Sequence, residues 1–223
     1  MLKMLFQNKC LLLLLNVGCL LSIASCNIDP IESPQNYQIN KPQKNELGKA
    51  LNEISGITYA GDGKLLAIAD SKEKIFEIDF KTKKLKDYTD KVVGPDSDLE
   101  DIELVDSTLY LLMSKGIIKE IPQGVKDTSG VKTYTLDLKG SNDFETLYYD
   151  PTADGLVLIC KTCAHEKGAG IRTAFRFDLK TKAFDSTAFF TISKDEVRGL
   201  VKNNDAKFDP SAAAIHPLNK RLY

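Results

Sequence analysis

From Leu51 onward, hydrophobic residues come in short alternating runs broken by Gly, Asp and Lys, with no long stretch at helical spacing. A period of two places successive side chains on opposite faces, so these runs read as β-strands with one face buried. The first four are Ile54 to Tyr59, Leu65 to Ala69, Ile75 to Phe80 and Leu85 to Tyr88. Gly61-Asp62-Gly63 supplies a tight turn between the first two, and Lys81 to Lys84 a polar turn before the fourth.

The group then repeats. Glu53-Ile-Ser-Gly-Ile-Thr-Tyr59, Leu99-Glu-Asp-Ile-Glu-Leu104 and Phe144-Glu-Thr-Leu-Tyr-Tyr149 each set a small or polar residue inside an alternating strand. With Gly56, Asp101 and Thr146 as equivalents, both intervals are 45 residues. The following runs agree: Thr108 to Met113, Ile117 to Ile121 and Val131 to Leu136, then Leu156 to Cys160, Arg172 to Leu179 and Phe184 to Phe190. Two third strands even share their turn, as Phe-Glu-Ile-Asp-Phe-Lys-Thr-Lys from Phe76 and Phe-Arg-Phe-Asp-Leu-Lys-Thr-Lys from Phe175. Four short strands on such a period are the mark of a β-propeller blade.

The expected fold is therefore all-β: a β-propeller of four-stranded antiparallel blades, about three and a half of them present. Blades fall near residues 51–97, 98–141 and 142–208, with a partial unit at 209–223 that opens Asp209-Pro-Ser-Ala-Ala-Ala-Ile-His-Pro. The third blade carries extra residues, among them Ser193 to Lys202, where Ser193 as N-cap and Glu196 three positions on predict a short helix. Because such a number of blades does not close a ring, the chain reads as a shortened copy of a longer protein. Pairing of two chains and an open arc with bare strand edges are the other possibilities.

The N-terminus follows another pattern. Lys3 and Lys9 precede an uncharged stretch from Cys10 to Ile28, a basic n-region followed by an apolar h-region. Asn16, Ser22 and Ser25 interrupt it, which favours an export signal over a retained membrane helix. Ile23-Ala24-Ser25-Cys26 resembles a bacterial lipobox, with Ile23 where Leu is usual and Cys26 as the lipidated residue; Cys19 is a weaker acceptor. The expectation is a lipoprotein-type signal at 1–25, a flexible tether at 26–50 holding Pro30, Pro34 and Pro42, and a propeller domain at 51–223. Such a protein sits in the bacterial cell envelope, on the outer membrane or the periplasmic face, with the membrane as its first partner.

Composition narrows the function classes. The 30 Lys and Arg against 31 Asp and Glu give a net charge of -1, and losing Lys3 and Lys9 with the signal makes it -3. That balance supplies no basic surface for a nucleic acid. Five Cys in 223 residues are too few to replace an apolar core.

The repeat units resemble the SdiA-regulated family of bacterial envelope proteins. The matching motifs are Glu53-Ile-Ser-Gly-Ile-Thr-Tyr, Asp98-Leu-Glu-Asp-Ile-Glu, Asn142-Asp-Phe-Glu-Thr-Leu-Tyr-Tyr-Asp-Pro and Asp209-Pro-Ser-Ala-Ala-Ala-Ile-His-Pro, with Asp101 and Thr146 where that family more often has Gly. The resemblance implies a six-bladed ring, of which this chain would hold part, exported or membrane-attached. It implies no particular reaction.

Candidate chemistry centres on carboxylates. Glu53, Glu100 and Glu145 occupy corresponding positions near the start of each inner strand, a placement round the mouth of a propeller channel. With Asp98, Asp101 and Asp143 nearby, they can share a hard cation such as Ca²⁺ through oxygen ligands. The same residues can equally cap turns and accept N–H bonds from the next blade. Cys160-Lys-Thr-Cys163 can form a local disulfide, supply two thiolates to a metal with His165, or simply end a strand. His216, beside Pro217, reads as fixing a loop. No nucleophile elbow, phosphate loop or dinucleotide motif is present. The expected function is thus a binding or interaction scaffold for an envelope protein or small polar ligand. The alternative is a Ca²⁺-assisted hydrolase of phosphate or other esters using the channel-mouth carboxylates.

Overall fold

The computed structural model describes Ser33 and residues 36–38, 40–69, 74–88, 98–126 and 129–223. The signal segment, Cys26 and most of the expected tether lie outside the described residues. Met1–Lys44 and Asn45–Tyr223 form separate units. In the first, the described part includes a turn in which Lys41 N–H donates to the Gln38 carbonyl at 3.0 Å.

The second unit is built of three antiparallel sheets, each with four strands in chain order from inner to outer, the third sheet carrying a fifth strand as well. Blade one holds β1 (Ile54–Gly61), β2 (Lys64–Ala69), β3 (Lys74–Asp79) and β4 (Leu85–Asp87). Blade two holds β5 (Leu99–Val105), β6 (Thr108–Met113), β7 (Ile117–Ile121) and β8 (Lys132–Thr135). Blade three holds β9 (Asn142–Asp150), β10 (Gly155–Cys163), β11 (Ile171–Asp178) and β12 (Ala183–Phe184). The registers repeat as the sequence does: Ile57 pairs with Ala67, Ile102 with Leu111 and Leu147 with Leu158. In the next unit Ile215 and Leu222 form an antiparallel bridge.

One run is divided. Instead of a single strand from Phe184 to Phe190, β12 ends at Phe184 and β13 (Phe190–Ser193) pairs with the other end of β11. Asp185 closes the first segment: its N–H donates to the Arg176 carbonyl at 2.9 Å, and its carboxylate accepts from the Arg176 guanidinium through Nε at 2.8 Å and Nη2 at 3.1 Å. Helix α1 (Lys194–Leu200) follows, and the Ser193 side chain accepts the Glu196 N–H at 3.3 Å as the N-cap. Among the described residues no helix is long and apolar enough to cross a membrane.

The shared turns have one cause. Asp79 Oδ1 accepts the N–H groups of Lys81 and Thr82, and Asp178 Oδ1 those of Lys180 and Thr181. This folds the Lys-Thr-Lys segment back and carries Lys83 and Lys182 into the left-handed region, at φ 59° and 57°.

Apolar side chains close the blades against one another. Leu66, Ile68 and Ile75 of blade one meet Leu99, Ile102, Leu109 and Leu111 of blade two. Tyr110, Leu112 and Ile118 of blade two meet Phe144, Leu156, Leu158 and Phe177 of blade three. Each fully buried aliphatic or aromatic side chain stabilises the fold by about 1.5–3 kcal/mol relative to exposure. The two outward faces are covered as well. Leu47, Ala50 and Leu51 lie over Ala67, Phe76 and Ile78 of blade one. Ala213 and Ile215 lie with Phe190 and Ile192 over Tyr148, Val157 and Ile159 of blade three.

Candidate functional site

The inner strands β1, β5 and β9 and the segment 212–223 bound a groove of about 900 Å³. Alternation along β1 leaves Ile57 and Tyr59 exposed there, at 49% and 64%, while Gly56 and Thr58 turn inward. Tyr149, Pro217 and Tyr223 add to the same lining. Large apolar side chains this open, grouped in one concavity, are the usual mark of a recognition surface.

Beneath that lining runs a polar seam joining the three inner strands. Asp101 is buried and uses both carboxylate oxygens on backbone: Oδ1 accepts the N–H of Ile102 at 2.8 Å and Oδ2 that of Leu147, in the next blade, at 2.7 Å. Glu103 accepts the Thr58 hydroxyl from blade one at 2.9 Å, its own neighbour Leu104 N–H at 3.0 Å, and the Tyr149 N–H of blade three at 3.2 Å. Burial pushes the Asp101 carboxyl up to about 8, against the two N–H bonds, with Glu103 and Glu100 adding like charge. Burial likewise raises Glu103, opposed by its three hydrogen bonds. Thr146, the equivalent of Asp101 in blade three, is fully buried and its hydroxyl oxygen has no hydrogen-bond partner.

The acidic positions marked in the sequence separate. Glu100, Asp143 and Glu145 come together, with carboxylate oxygens within 4.8 Å of one another. Glu53 is not in this group; it occupies a turn before β1 at φ 63°. Asp98 accepts the Ser114 hydroxyl, and Asp101 is committed to the seam. Three β-bulges build the acidic group, the first leaving Glu100 out of the β5–β6 pairing between Leu99–Met113 and Asp101–Leu112. The β9–β10 register passes from Thr146–Ile159 to Phe144–Cys160 to Asp143–Thr162, so that Glu145 and then Lys161 are left out of the pairing. Those two residues form an ion pair, and the Lys161 ammonium also reaches Asp143 at 4.0 Å. Burial raises the Asp143 carboxyl, while the Lys161 charge pulls it down. A positive charge is thus already set among the oxygens that a divalent cation would use.

Cys160 and Cys163 are disulfide-bonded across the Lys161 bulge. His165 Nε2 lies 3.0 Å from the Thr173 hydroxyl rather than beside the two sulfurs' chain as a third metal ligand would. His216 holds a turn: its Nδ1 accepts the N–H of Leu218 at 3.1 Å and of Asn219 at 3.3 Å.

Several polar groups carry no motif in the sequence. Glu103 sits in an ordinary alternating strand, and only its 45-residue offset from Thr58 hints at a shared seam. Glu120 is buried and accepts from Tyr134 at 3.0 Å and Lys182 at 2.9 Å, and the same ammonium donates to Tyr110 at 2.9 Å, tying blade three to blade two. Glu166, buried, faces Arg172, a pairing that nothing local announces.

No protein-family model matches the chain, and no curated protein does. Among solved structures, it is similar to a catalytically inactive virginiamycin B lyase from Staphylococcus aureus with quinupristin, at 16% identity, 76% of this chain, 47% of that chain and a TM-score of 0.47. It is also similar to a protein of unknown function from Bacteroides thetaiotaomicron, at 13% identity, 77% of this chain, 38% of that chain and a TM-score of 0.44. The extracellular domain of a hybrid two-component system from B. thetaiotaomicron matches at 14% identity, 62% of this chain, 17% of that chain and a TM-score of 0.42. The chain spans less than half the length of each. At identities this low no activity is carried over from them, and the conclusion they accompany is one of architecture: the chain is an all-β protein of propeller blades.

Proposed function

We propose that this protein is a cell-envelope lipoprotein of the SdiA-regulated kind, held to the membrane by lipid on Cys26, whose propeller blades form a binding scaffold. The supporting observation is the groove, where Ile57, Tyr59 and Tyr223 stand exposed over a rigid hydrogen-bonded seam. The buried acids below it are committed to backbone and hydroxyl donors, so they fix the surface and leave selectivity to the apolar lining. A small polar ligand or an envelope protein contacts this face.

The test is position-specific photo-crosslinking in cells, with a crosslinking residue at Tyr59 or, as control, at the exposed Leu200. Adducts formed from position 59 and abolished by Ile57→Asp support the reading; equal yields from both positions overturn it. Metabolic labelling with an alkyne fatty acid, lost in Cys26→Ala, tests the anchor independently.

A second reading, a Ca²⁺-assisted ester hydrolase, is favoured only by the grouping of Glu100, Asp143 and Glu145. Lys161 competes with any cation there. Stoichiometric Ca²⁺ in the purified protein, with chelator-sensitive hydrolysis of a phosphate ester, would favour this reading over the scaffold.

A further inference from the structure

The wall of the groove made by residues 212–223 packs on blade three through Ala213 and Ile215, and the chain just before it is fastened there by a buried polar path. Arg172, in β11, donates through Nε to the Phe208 carbonyl at 3.0 Å and through Nη2 to the Asp209 carboxylate. Its Nη1 donates to Glu166 Oε2 at 3.1 Å, and the other Glu166 oxygen accepts the Thr173 N–H. The Arg172 and Glu166 side chains are 9% and 1% exposed, so each is paired where water cannot replace the partner. Glu166 thus orients the same guanidinium that grips Phe208 and Asp209.

Glu166 is in turn positioned by the end of β10. Cys163 is the last residue of that strand, and Ala164–Glu166 form the 3-10 turn that follows it. Cys160 and Cys163 are bonded across the Lys161 bulge, which fixes the angle at which the chain leaves the strand. The turn is tightly seated. Ala164 N–H donates to the Ser141 carbonyl at 2.9 Å, and a Cβ on Gly140 would come within 2.5 Å of the Ala164 methyl. Ala164 and Glu166 therefore move as one piece, and a change of direction at Cys163 that lifts Ala164 off Ser141 displaces Glu166 with it.

We infer that the Cys160–Cys163 disulfide, Glu166 and Arg172 form a redox-sensitive latch that keeps the 208–223 segment docked as a wall of the groove. Opening it is a two-electron exchange with a dithiol. The S–S bond of Cys160–Cys163 breaks, each sulfur ends as a thiol with one proton, and the dithiol closes to its own disulfide. Freed of the bond, the bulge relaxes, Glu166 leaves its position, and Phe208 and Asp209 lose their anchor while the blade sheets persist. Both sulfurs are buried, Cys160 at 0% and Cys163 at 4%, so exchange proceeds through local opening and is slow. The consequence for binding rests on the groove reading above, but the latch itself does not.

Hydrogen exchange read by mass spectrometry on the full chain in detergent tests it. The amides of Ala214, His216 and Tyr223 donate within the 214–223 hairpin and report on the wall. After dithiothreitol treatment and confirmation of two free thiols at 160 and 163, exchange across 208–223 is expected to rise at least tenfold, with residues 99–121 unchanged. Glu166→Gln with the disulfide intact should produce the same local rise. Unchanged exchange at 208–223 after confirmed reduction overturns the latch. So does an equal rise across all blades, which would make the disulfide a general staple. Because no ligand enters this measurement, the groove reading stands or falls separately, on the crosslinking from position 59.

Discussion

Gly56 lies so close to Asp101 that a Cβ on it would fall 2.5 Å from Asp101 Oδ1, 2.7 Å from its Cα and 2.9 Å from Ile102 N. Two blades here touch backbone to backbone, and the glycine is required by space and not by a left-handed conformation. Gly56→Ala must push β1 and β5 apart. The expected loss is ~2–3 kcal/mol, in the range of overpacked cores. Urea denaturation of the two proteins would show it as a lower midpoint at unchanged slope.

Asp101 makes stability depend on pH. Its carboxyl is raised from the ordinary 3.8 to about 8 in the fold, chiefly by burial, so across that window the folded chain keeps a proton that the unfolded chain has released. The contribution of Asp101 is therefore greatest at the acid end, falls as pH rises between about 4 and 8, and levels off above, with a slope of at most ~1.4 kcal/mol per pH unit from this one group. Glu103, also raised, acts in the same direction. Asp101→Asn has no proton to lose, and its melting temperature should decline less between pH 5 and 8 than that of the wild type.

Arg172→Met leaves Glu166 buried without its cation. The expected cost is about 3–5 kcal/mol, as for other broken buried pairs. Adding Glu166→Gln removes the stranded charge while an amide oxygen still meets the Thr173 N–H. The double variant should recover part of the loss, and a double-mutant cycle from guanidinium melts gives the coupling. Additive losses would show that the two side chains act independently.

His216 and Asp150 perform the same task. Asp150 Oδ1 accepts the N–H groups of Thr152 and Ala153, at 2.8 and 3.3 Å, in the Asp-Pro turn of blade three. In the His-Pro turn the imidazole Nδ1 accepts from residues two and three positions on. His216→Asp should therefore fold with nearly native stability. His216→Ala, which leaves two N–H groups without their acceptor, should lose about 1–2 kcal/mol and expose the hairpin amides to exchange.

The blades were legible because their evidence is periodic. Strand runs, the 45-residue interval, the Lys-Thr-Lys turns and the Ser193 cap all follow from local residue order, and the structure keeps them except for the Phe184 to Phe190 run, which it divides. The site was legible only in part. Glu100, Asp143 and Glu145 converge because β5 bulges at Glu100 and β9 and β10 bulge at Glu145 and Lys161, and a bulge leaves no mark in an alternation pattern. Glu53 stays apart because the 45-residue interval makes Ser55, and not Glu53, the equivalent of Glu100 and Glu145, and Glu53 itself lies in a left-handed turn before β1 begins. Glu103 and Arg172 were silent for another reason: their partners lie 45 and 37 residues away, and long side chains meeting across blades obey no short spacing rule.

The apolar seams between blades join neighbours only: one contains residues of blades one and two, the other of blades two and three. Among the described residues the three blades are thus coupled pair by pair, and their cohesion is close to a sum of adjacent couplings. Damage at one seam is then confined to it. A wedge at Gly56 and Asp101 loosens the first of these couplings while the second and third blades stay joined through Phe144 and Phe177.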